Sequence, residues 1–587
     1  MTTTGEHTGA GGSTPTPRPG PRPGRGRVLR RYLPIVVVLA IGVAVAVRLG
    51  GGGGDEGGSA GSSAGGRFGE ALVRSGPMTP QKAELEGKTD VDFGPNCDTT
   101  TGRIKLPVIV APPCVAPFTG DNGGATSPGV TADEVRIVYY QTDPKRDPLG
   151  AASLGQNGVD LDAGAAKRAV DDYARLYNKV FETYGRKVVV ETFTGSSSSS
   201  DIEAARADAL AIADKHPFAV IGGPAQATEA FAPAIASRGI VCGPGCSGAP
   251  PEDEIARYAP YLWAIGPTPD QGSKLAAEMV AKLAGPGPAE FAGDAATRAK
   301  PRSYAVVHYD TDEGQQAKPF QALKAGLARQ GITLRTDVEF HLDLARMQDN
   351  ARTIIAKLRD AGVTTVIFTG DPLTPAALTK EATTQNYHPE WILGPNVLAD
   401  STVFARSFDQ QQWSHGFGMA LLPARGDFST DDAVRVYRWA YGKEPPTSNV
   451  TVLEPFVRQM FAGIHMAGPR LTPETLRDAF FRTPVAGGTP TVPKISAGRH
   501  GIWPGVDWGG SDDMALLWWD PNATGKDEIG HDGKGMYRFA QGGERYTLGH
   551  LPSSLDAAGV FDDASSVMVY KTLPPEDRPP DYPPPSG

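Results

Sequence analysis

The residues with the clearest opportunity for chemistry form the turn Gly222-Gly223-Pro224-Ala225-Gln226-Ala227-Thr228. They follow a short apolar run, Phe218–Ile221, of the kind a fully buried parallel strand needs. After them comes a helical pattern with Ala230, Phe231, Ala234 and Ile235 on one face, ended by Gly239, and then a further strand at Ile240-Val241. In such a strand–helix–strand unit the turn lies at the carboxyl edge of a sheet, where free N–H groups and the helix dipole converge. The chemistry this suits is non-covalent capture of a small molecule, with Gln226 as a contact and Gln226 or Thr228 as the helix cap. Catalytic patterns are missing: there is no Gly-x-Ser-x-Gly elbow between a strand and a helix, no phosphate-binding Gly-x-x-x-x-Gly-Lys-Ser/Thr and no His-Glu-x-x-His. The ten histidines are scattered without metal-ligand spacing, so no enzyme, cofactor or metal site is expected.

The elements that must position this turn alternate regularly from Thr131 onward. Strands are expected at Val135–Tyr140, Val188–Phe193, Tyr304–Tyr309, Leu334–His341, Thr365–Thr369 and Trp391–Leu393, and helices at Gly158–Tyr184, Ile202–Lys215, Gly272–Ala284, Ala317–Gln330, Asn350–Ala361 and Pro375–Gln385. Such alternation implies an α/β fold of doubly wound parallel sheets with right-handed crossovers. Two successive sets of units imply two lobes facing each other across a cleft.

Outside this region the chain is built differently. Residues 1–31 hold six Arg against the single acid Glu6, a +5 segment rich in Pro, Thr and Gly that should be a disordered cytoplasmic tail. Subtracting that +5 from the overall −9 leaves about −14 for the rest, a poor surface for nucleic acid. Leu33–Val47 is an apolar run closed by Arg48, and residues 32–49 are expected to act as an uncleaved transmembrane signal-anchor. The upstream arginines keep the N-terminus inside and send the bulk of the chain across the cell membrane, and no cysteine follows for a lipid anchor. Residues 50–90 begin with a Gly/Ser stretch and should form a flexible linker, and 574–587 a Pro-rich disordered tail. The four cysteines agree with export: a Cys97–Cys114 bridge would staple an extension over 91–130, and the two Gly of Cys242-Gly-Pro-Gly-Cys246 permit a tight bridge, which the sequence leaves open.

Several segments in order carry a family resemblance: Gly129-Val-Thr131 with Val135-Arg-Ile-Val138, Val220-Ile-Gly-Gly-Pro224 with Ala232-Pro-Ala-Ile-Ala236, Leu262-Trp-Ala-Ile-Gly-Pro-Thr-Pro-Asp-Gln271, and Ala356-Lys-Leu-Arg-Asp-Ala-Gly362. Over residues 130–560 the chain resembles the leucine/isoleucine/valine-type substrate-binding proteins of ABC transporters, the type 1 periplasmic-binding fold. The resemblance implies a first lobe from 131–265 and 391–485 and a second from 266–390 and 486–560, joined by crossing strands. It implies ligand contacts from Ala225, Gln226, Ala227 and Thr228 in one loop and Cys246 and Ser247 in another, with Ser247 supplying a hydroxyl. Gln141 at the end of the first strand is placed there too. In the second lobe Asp310, Asp312, Glu313 and Asp371 are implied, with Glu313 standing where the family usually has a tyrosine. The C-terminal aromatics Trp503, Trp508, Trp518 and Trp519 are expected to pack strands rather than floor the cleft. The implied function is extracytoplasmic capture of a small molecule for an ABC permease; the alternative is a ligand-sensing ectodomain without transport.

Overall fold

A computed structural model describes residues 63–585, apart from 149–150, 152–154, 156–159, 265 and 312–313. The expected tail (1–31) and membrane segment (32–49) lie outside the described residues; among those described, no helix is long and apolar enough to cross a membrane.

The opening strand–helix–strand unit belongs to a four-stranded parallel sheet. Its strands are β1 (Glu134–Gln141), β2 (Lys187–Thr194), β3 (Ala219–Ile221) and β4 (Val241–Cys242), in the order β2-β1-β3-β4. The connecting helices are α1 (Ala163–Val180), α2 (Ile202–Ala213) and α3 (Thr228–Ala236). Asp162 and Asp201 cap the first two by accepting from Ala165 N and Ala204 N. Strand alternation decides which helix packs where. Val135, Ile137 and Tyr139 face α1 through Ala169, Tyr173 and Tyr177. On the other face, Val138 and Tyr140 meet Ala209 and Ile212 of α2 and Phe231 of α3.

The second sheet has a parallel core of β5 (Tyr304–Tyr309), β6 (Leu334–Phe340), β7 (Thr365–Gly370), β8 (Glu390–Asn396) and β9 (Phe417–Ala420), in the order β6-β5-β7-β8-β9. It is sandwiched between α4 (Pro269–Met279) with α5 (Ala317–Arg329) on one face and α6 (Met347–Asp360) with α7 (Thr374–Thr384) on the other. Two differences from expectation appear here. The strand at Trp391–Leu393, assigned from sequence to the first lobe, pairs in register with β7 and so builds the second sheet. This sheet is also mixed rather than purely parallel: β10 (Met514–Lys526) adds antiparallel to β9, and β11 (Asp532–Phe539) and β12 (Arg545–Tyr546) pair antiparallel with β10. A short hairpin connection brings β11 back beside β10, and hairpins impose antiparallel pairing.

Between these sets the chain returns to the first lobe as α8 (Asp432–Tyr441), α9 (Val450–Ala467) and α10 (Pro473–Arg482). The Tyr173 hydroxyl donates to Ala433 O, and the Tyr437 hydroxyl to Asp172, so α8 is pinned to α1. Helix α9 is buried along nearly its whole length. Its Glu454 and Arg458 form an ion pair at 2.7 Å with both side chains inaccessible, and the Tyr177 hydroxyl of α1 also donates to Glu454.

Both ends of the described chain are docked. Within 50–90, expected as flexible linker, Ser63–Ser75 and Pro80–Leu85 are helical. Thr79 caps the second by accepting from Lys82 N, Val73 and Ala83 are buried, and Arg482 Nε donates to Leu72 O. The extension that follows carries a Cys97–Cys114 disulfide, and Cys242–Cys246 is also bridged. The Pro-rich tail, expected to be disordered, is laid down on the protein: Asp577 is buried and accepts from Thr489 and Thr491, the Tyr582 hydroxyl donates to Asp98, and Trp439 Nε1 donates to Tyr582 O. Upstream, Val567 pairs with Phe539 and Tyr570 N donates to Arg425 O, so this segment runs from the second sheet to the first lobe. Composition misleads here because one buried aspartate and two aromatic side chains supply contacts that proline content hides.

Asp400, after β8, ties two loops together: its Oδ2 accepts from the backbone N–H groups of Leu421 and Leu422 after β9. Burial pushes its carboxyl up to about 6 even against those two bonds. A carboxyl raised on folding contributes stability that is present in full below its unfolded value near 4 and is lost as pH rises through about 6. An Asp400→Asn variant keeps one acceptor for both amides and removes that loss. Urea midpoints measured from pH 4 to pH 8 should therefore favour the variant increasingly above pH 5, by on the order of 2–3 kcal/mol at pH 7.5. Equal pH profiles for the two proteins would refute the raised carboxyl. For the extension, replacing Cys97 and Cys114 by Ser opens a loop of sequence separation 17; the unfolding free energy should fall by about 3 kcal/mol, read from non-reducing denaturant melts.

Candidate ligand-binding site between the lobes

A cavity of about 450 Å³ lies where the carboxyl ends of the two sheets face each other. That is within the range of small-molecule sites. Its first-lobe wall begins at the β3–α3 turn. Gly222 there has φ +69°, a left-handed conformation, and a Cβ on it would stand 2.6 Å from Tyr140 O. Its N–H donates to Pro244 O, drawing the turn against the loop after β4. In that second loop Gly245 (φ +77°) lies so close to the Phe456 ring that a Cβ would fall 2.5 Å from it. Helix α3 starts behind the turn without a side-chain cap, at Ala227.

Of the residues expected from sequence, Gln141, Ala225, Gln226, Thr228, Ser247 and Asp371 line the cavity. Gln141 Nε2 donates to Ala163 O at the start of α1. Gln226 is held at both ends, its N–H on Ser199 O and its Nε2 on Ser199 Oγ at 3.3 Å. Ser247 Oγ donates to Trp263 O at 2.8 Å, so its proton is committed to the protein. Asp371 sits just before α7, accepting from Leu373 N, Thr374 N and Thr374 Oγ1, and burial nonetheless pushes its carboxyl up.

Three expected contacts stand elsewhere. Ala227 is fully buried in the core behind the turn, and Cys246 is committed to the disulfide with Cys242. Asp310 is absorbed by its own loop, its Oδ1 accepting from Thr311 N and Gln316 N. Asp312 and Glu313 lie outside the described residues. The four C-terminal tryptophans are away from the cavity and pack strands or loops: Trp508 lies against Trp263 and Phe481, Trp519 against Tyr537, and Trp503 Nε1 donates to Asp512.

Sequence reasoning missed two parts of the lining. One is the first turns of α9, where Val452, Leu453 and Phe456 face the cavity; their i, i+1, i+4 spacing reads equally well as ordinary core. The other is the second-lobe group His308, Tyr309 and Phe320. His308 is 3 % exposed, its ring stacks on Phe320 with centroids 3.6 Å apart, and its Nδ1 has no hydrogen-bond partner. The signal was available: both His308 and Tyr309 end a strand at the sheet edge where ligands bind.

The lobes also touch across the mouth. Gln316 Nε2 donates to Ala249 O at 3.2 Å, and Lys318 Nζ lies 3.0 Å from Asp253. Among the described residues, no group of three or more His, Cys, Asp or Glu side chains is placed to hold a metal ion. What the geometry offers is a two-walled pocket of backbone, amide, hydroxyl, carboxyl and apolar surface.

No curated protein matches the chain. Among solved structures, a fatty acid ABC transporter substrate-binding protein from Thermomonospora curvata is 14% identical, covering 73% of this chain and 96% of that one, with a TM-score of 0.43. A solute-binding protein of an ABC transporter from Rhodopseudomonas palustris HaA2, in complex with p-hydroxybenzoic acid, is 12% identical over 71% of this chain and 98% of its own, with a TM-score of 0.45. An ABC transporter substrate-binding protein from Aeropyrum pernix is 14% identical over 73% and 98%, also with a TM-score of 0.45. The family model described as periplasmic binding protein matches residues 157–503, more than half of the chain and both walls of the cavity, and the protein belongs to that family.

Proposed function

We propose that the protein captures a small organic molecule in the cavity between its lobes, outside the cytoplasm, and presents it to an ABC-type permease. The observation that carries this reading is that the turns after parallel strands of both sheets converge on one cavity, so a ligand is buried only when the lobes lie together. Closed and open arrangements then differ in ligand contact, and a ligand that touches both walls shifts the balance toward the closed one. Residues 32–49 hold the molecule at the membrane as a signal-anchor, with the Arg-rich segment 1–31 on the cytoplasmic side. The protein works by binding, without turnover of its ligand; Gln226, Thr228 and Ser247 shape the first-lobe wall.

The test is a thermal-shift screen of small organic compounds, since a ligand specific for the folded state raises apparent stability. Compounds that raise the melting temperature should also lower the radius of gyration in small-angle scattering. Ala225→Trp, which fills the cavity from the exposed side of the turn, should leave the unliganded melting temperature within a few degrees while weakening every hit by at least about 100-fold, close to 3 kcal/mol. Hits that bind the variant as well as the wild type would place capture somewhere other than this cavity.

A further inference from the structure

Two stretches of chain cross side by side between the lobes. The first, 262–264 with 266–271, runs from the first lobe into α4; the second, 494–512, leads from the α10 side into β10. Ala264 N donates to Trp508 O and Gly510 N to Gly266 O, both at 3.2 Å. Gln271, whose Oε1 accepts from Thr268 N to close the capping box of α4, donates through Nε2 to Asp507 Oδ1 at 2.8 Å. A swing of one lobe against the other has to bend these paired stretches, so they form a hinge.

Buried in the second stretch is a pair of aspartates with one donor too few. Asp507 is 4% exposed and Asp512 0%. Asp507 Oδ1 accepts from Gln271 Nε2 and Gly509 N, and Asp512 Oδ1 from Trp503 Nε1 at 2.8 Å. The other two oxygens face a single hydroxyl: Ser496 Oγ is 2.7 Å from Asp512 Oδ2 and 3.4 Å from Asp507 Oδ2. A hydroxyl has one proton to give, and the shorter contact takes it. The two carboxyls are also within hydrogen-bonding reach of each other. The charged groups around them are engaged elsewhere. Arg545 pairs with Asp513 at 2.9 Å, and the charge of Lys494 also acts on Asp513. On α4, Lys274 lies over the Trp503 ring and 3.7 Å from Glu252, and Asp270 accepts from Glu252 N. Arg499 and His500 are exposed. Burial, and after it the hydrogen bond and charge of Asp507, push the Asp512 carboxyl up to about 9, against the bonds from Ser496 and Trp503.

We propose that Asp507 and Asp512 share one proton at neutral pH, and that this proton pins the second crossing stretch to α4 at the hinge between the lobes. It belongs to the pair rather than to either residue: a carboxyl on one donates to the carboxylate on the other, and Gln271 carries the connection into α4. Once the proton leaves, two like charges face each other away from water, and the one Ser496 hydroxyl serves only one of them. The crossing stretches then part, and the lobes lose their fixed relation. This device is independent of what the cavity binds. The unfolded chain releases the same proton near pH 4, so the stability it supplies is complete below that value and is lost as pH rises through about 9. Between those limits one proton costs the folding equilibrium about tenfold per pH unit.

The experiment uses the full chain in a detergent without carbonyl groups, as wild type, Asp512→Asn and Asp507→Asn. Either asparagine supplies an N–H where the shared proton lay, so both variants should fold and neither should need the proton; each serves if the other does not fold. The infrared difference spectrum of wild type minus each variant at pH 7.5 should show the C=O stretch of a protonated carboxyl, displaced in D2O. Raising the pH through about 9 should abolish that band. Over the same range the radius of gyration from small-angle scattering should grow in the wild type and stay constant in the variants. Urea midpoints between pH 5 and pH 9 should fall more steeply in the wild type than in either variant. A difference spectrum without the band overturns the buried proton. A band missing only from the Asp507→Asn difference assigns the proton to Asp512 alone and overturns the sharing. A wild-type radius that tracks both variants across the titration overturns the hinge role.

Discussion

A carboxylate sealed away from water fixes the geometry of the cavity. Glu454 on α9 has no access to solvent, so its charge must be met inside the protein, by Arg458 one turn further on and by the Tyr177 hydroxyl of α1. Removing either partner would leave a charge stranded in the interior, at a cost of several kcal/mol. The network therefore locks the rotation of α9 about its own axis. With Glu454 turned toward α1, the neighbouring Val452, Leu453 and Phe456 are left facing the cavity. The Phe456 ring in turn occupies the space that only a glycine at 245 leaves open. A helix far downstream in sequence thus shapes a loop that follows β4.

The remaining walls follow from topology. Parallel strands joined by right-handed crossovers bring all their carboxyl-end turns to one edge. Two sheets built this way place two such edges opposite each other, and the polar atoms there are largely committed to neighbouring turns, as Gln226 is to Ser199 and Ser247 to Trp263. The first-lobe wall is accordingly preorganised.

Much of the fold was legible in the sequence because buried parallel strands are continuous apolar runs with sharp ends. Tyr304–Tyr309 was read to the residue, and the strands at 135, 188 and 365 to within one or two. Pairing was less legible. Trp391–Leu393 carries nothing that names its neighbour, and its place beside β7 is decided by register across a sheet rather than by local pattern. The cavity was half legible. Ala225, Gln226, Thr228 and Ser247 belong to turns with a recognisable Gly-Pro signature, and the structure puts them at the lining. Asp310 shows the limit of reading acidity as function, since its carboxylate serves two backbone amides of its own loop. His308 was passed over because a histidine inside an apolar strand looks like core until its unpartnered nitrogen is seen.

The C-terminal segment behaves as a tie-rod. It is fastened to the second sheet through Val567 with Phe539, to the passage between the lobes through Tyr570 with Arg425, and to the first lobe through Tyr582 with Trp439 of α8. A rod anchored on both bodies resists pulling them apart while still allowing one to swing against the other. When the protein breathes, the exposed contacts at the mouth, Gln316 with Ala249 and Lys318 with Asp253, give way first, because solvated polar pairs hold little energy. The lip is therefore the weaker of the two connections between the lobes, and the firmer one is a stretch of proline-rich chain whose composition gave no hint of mechanical duty.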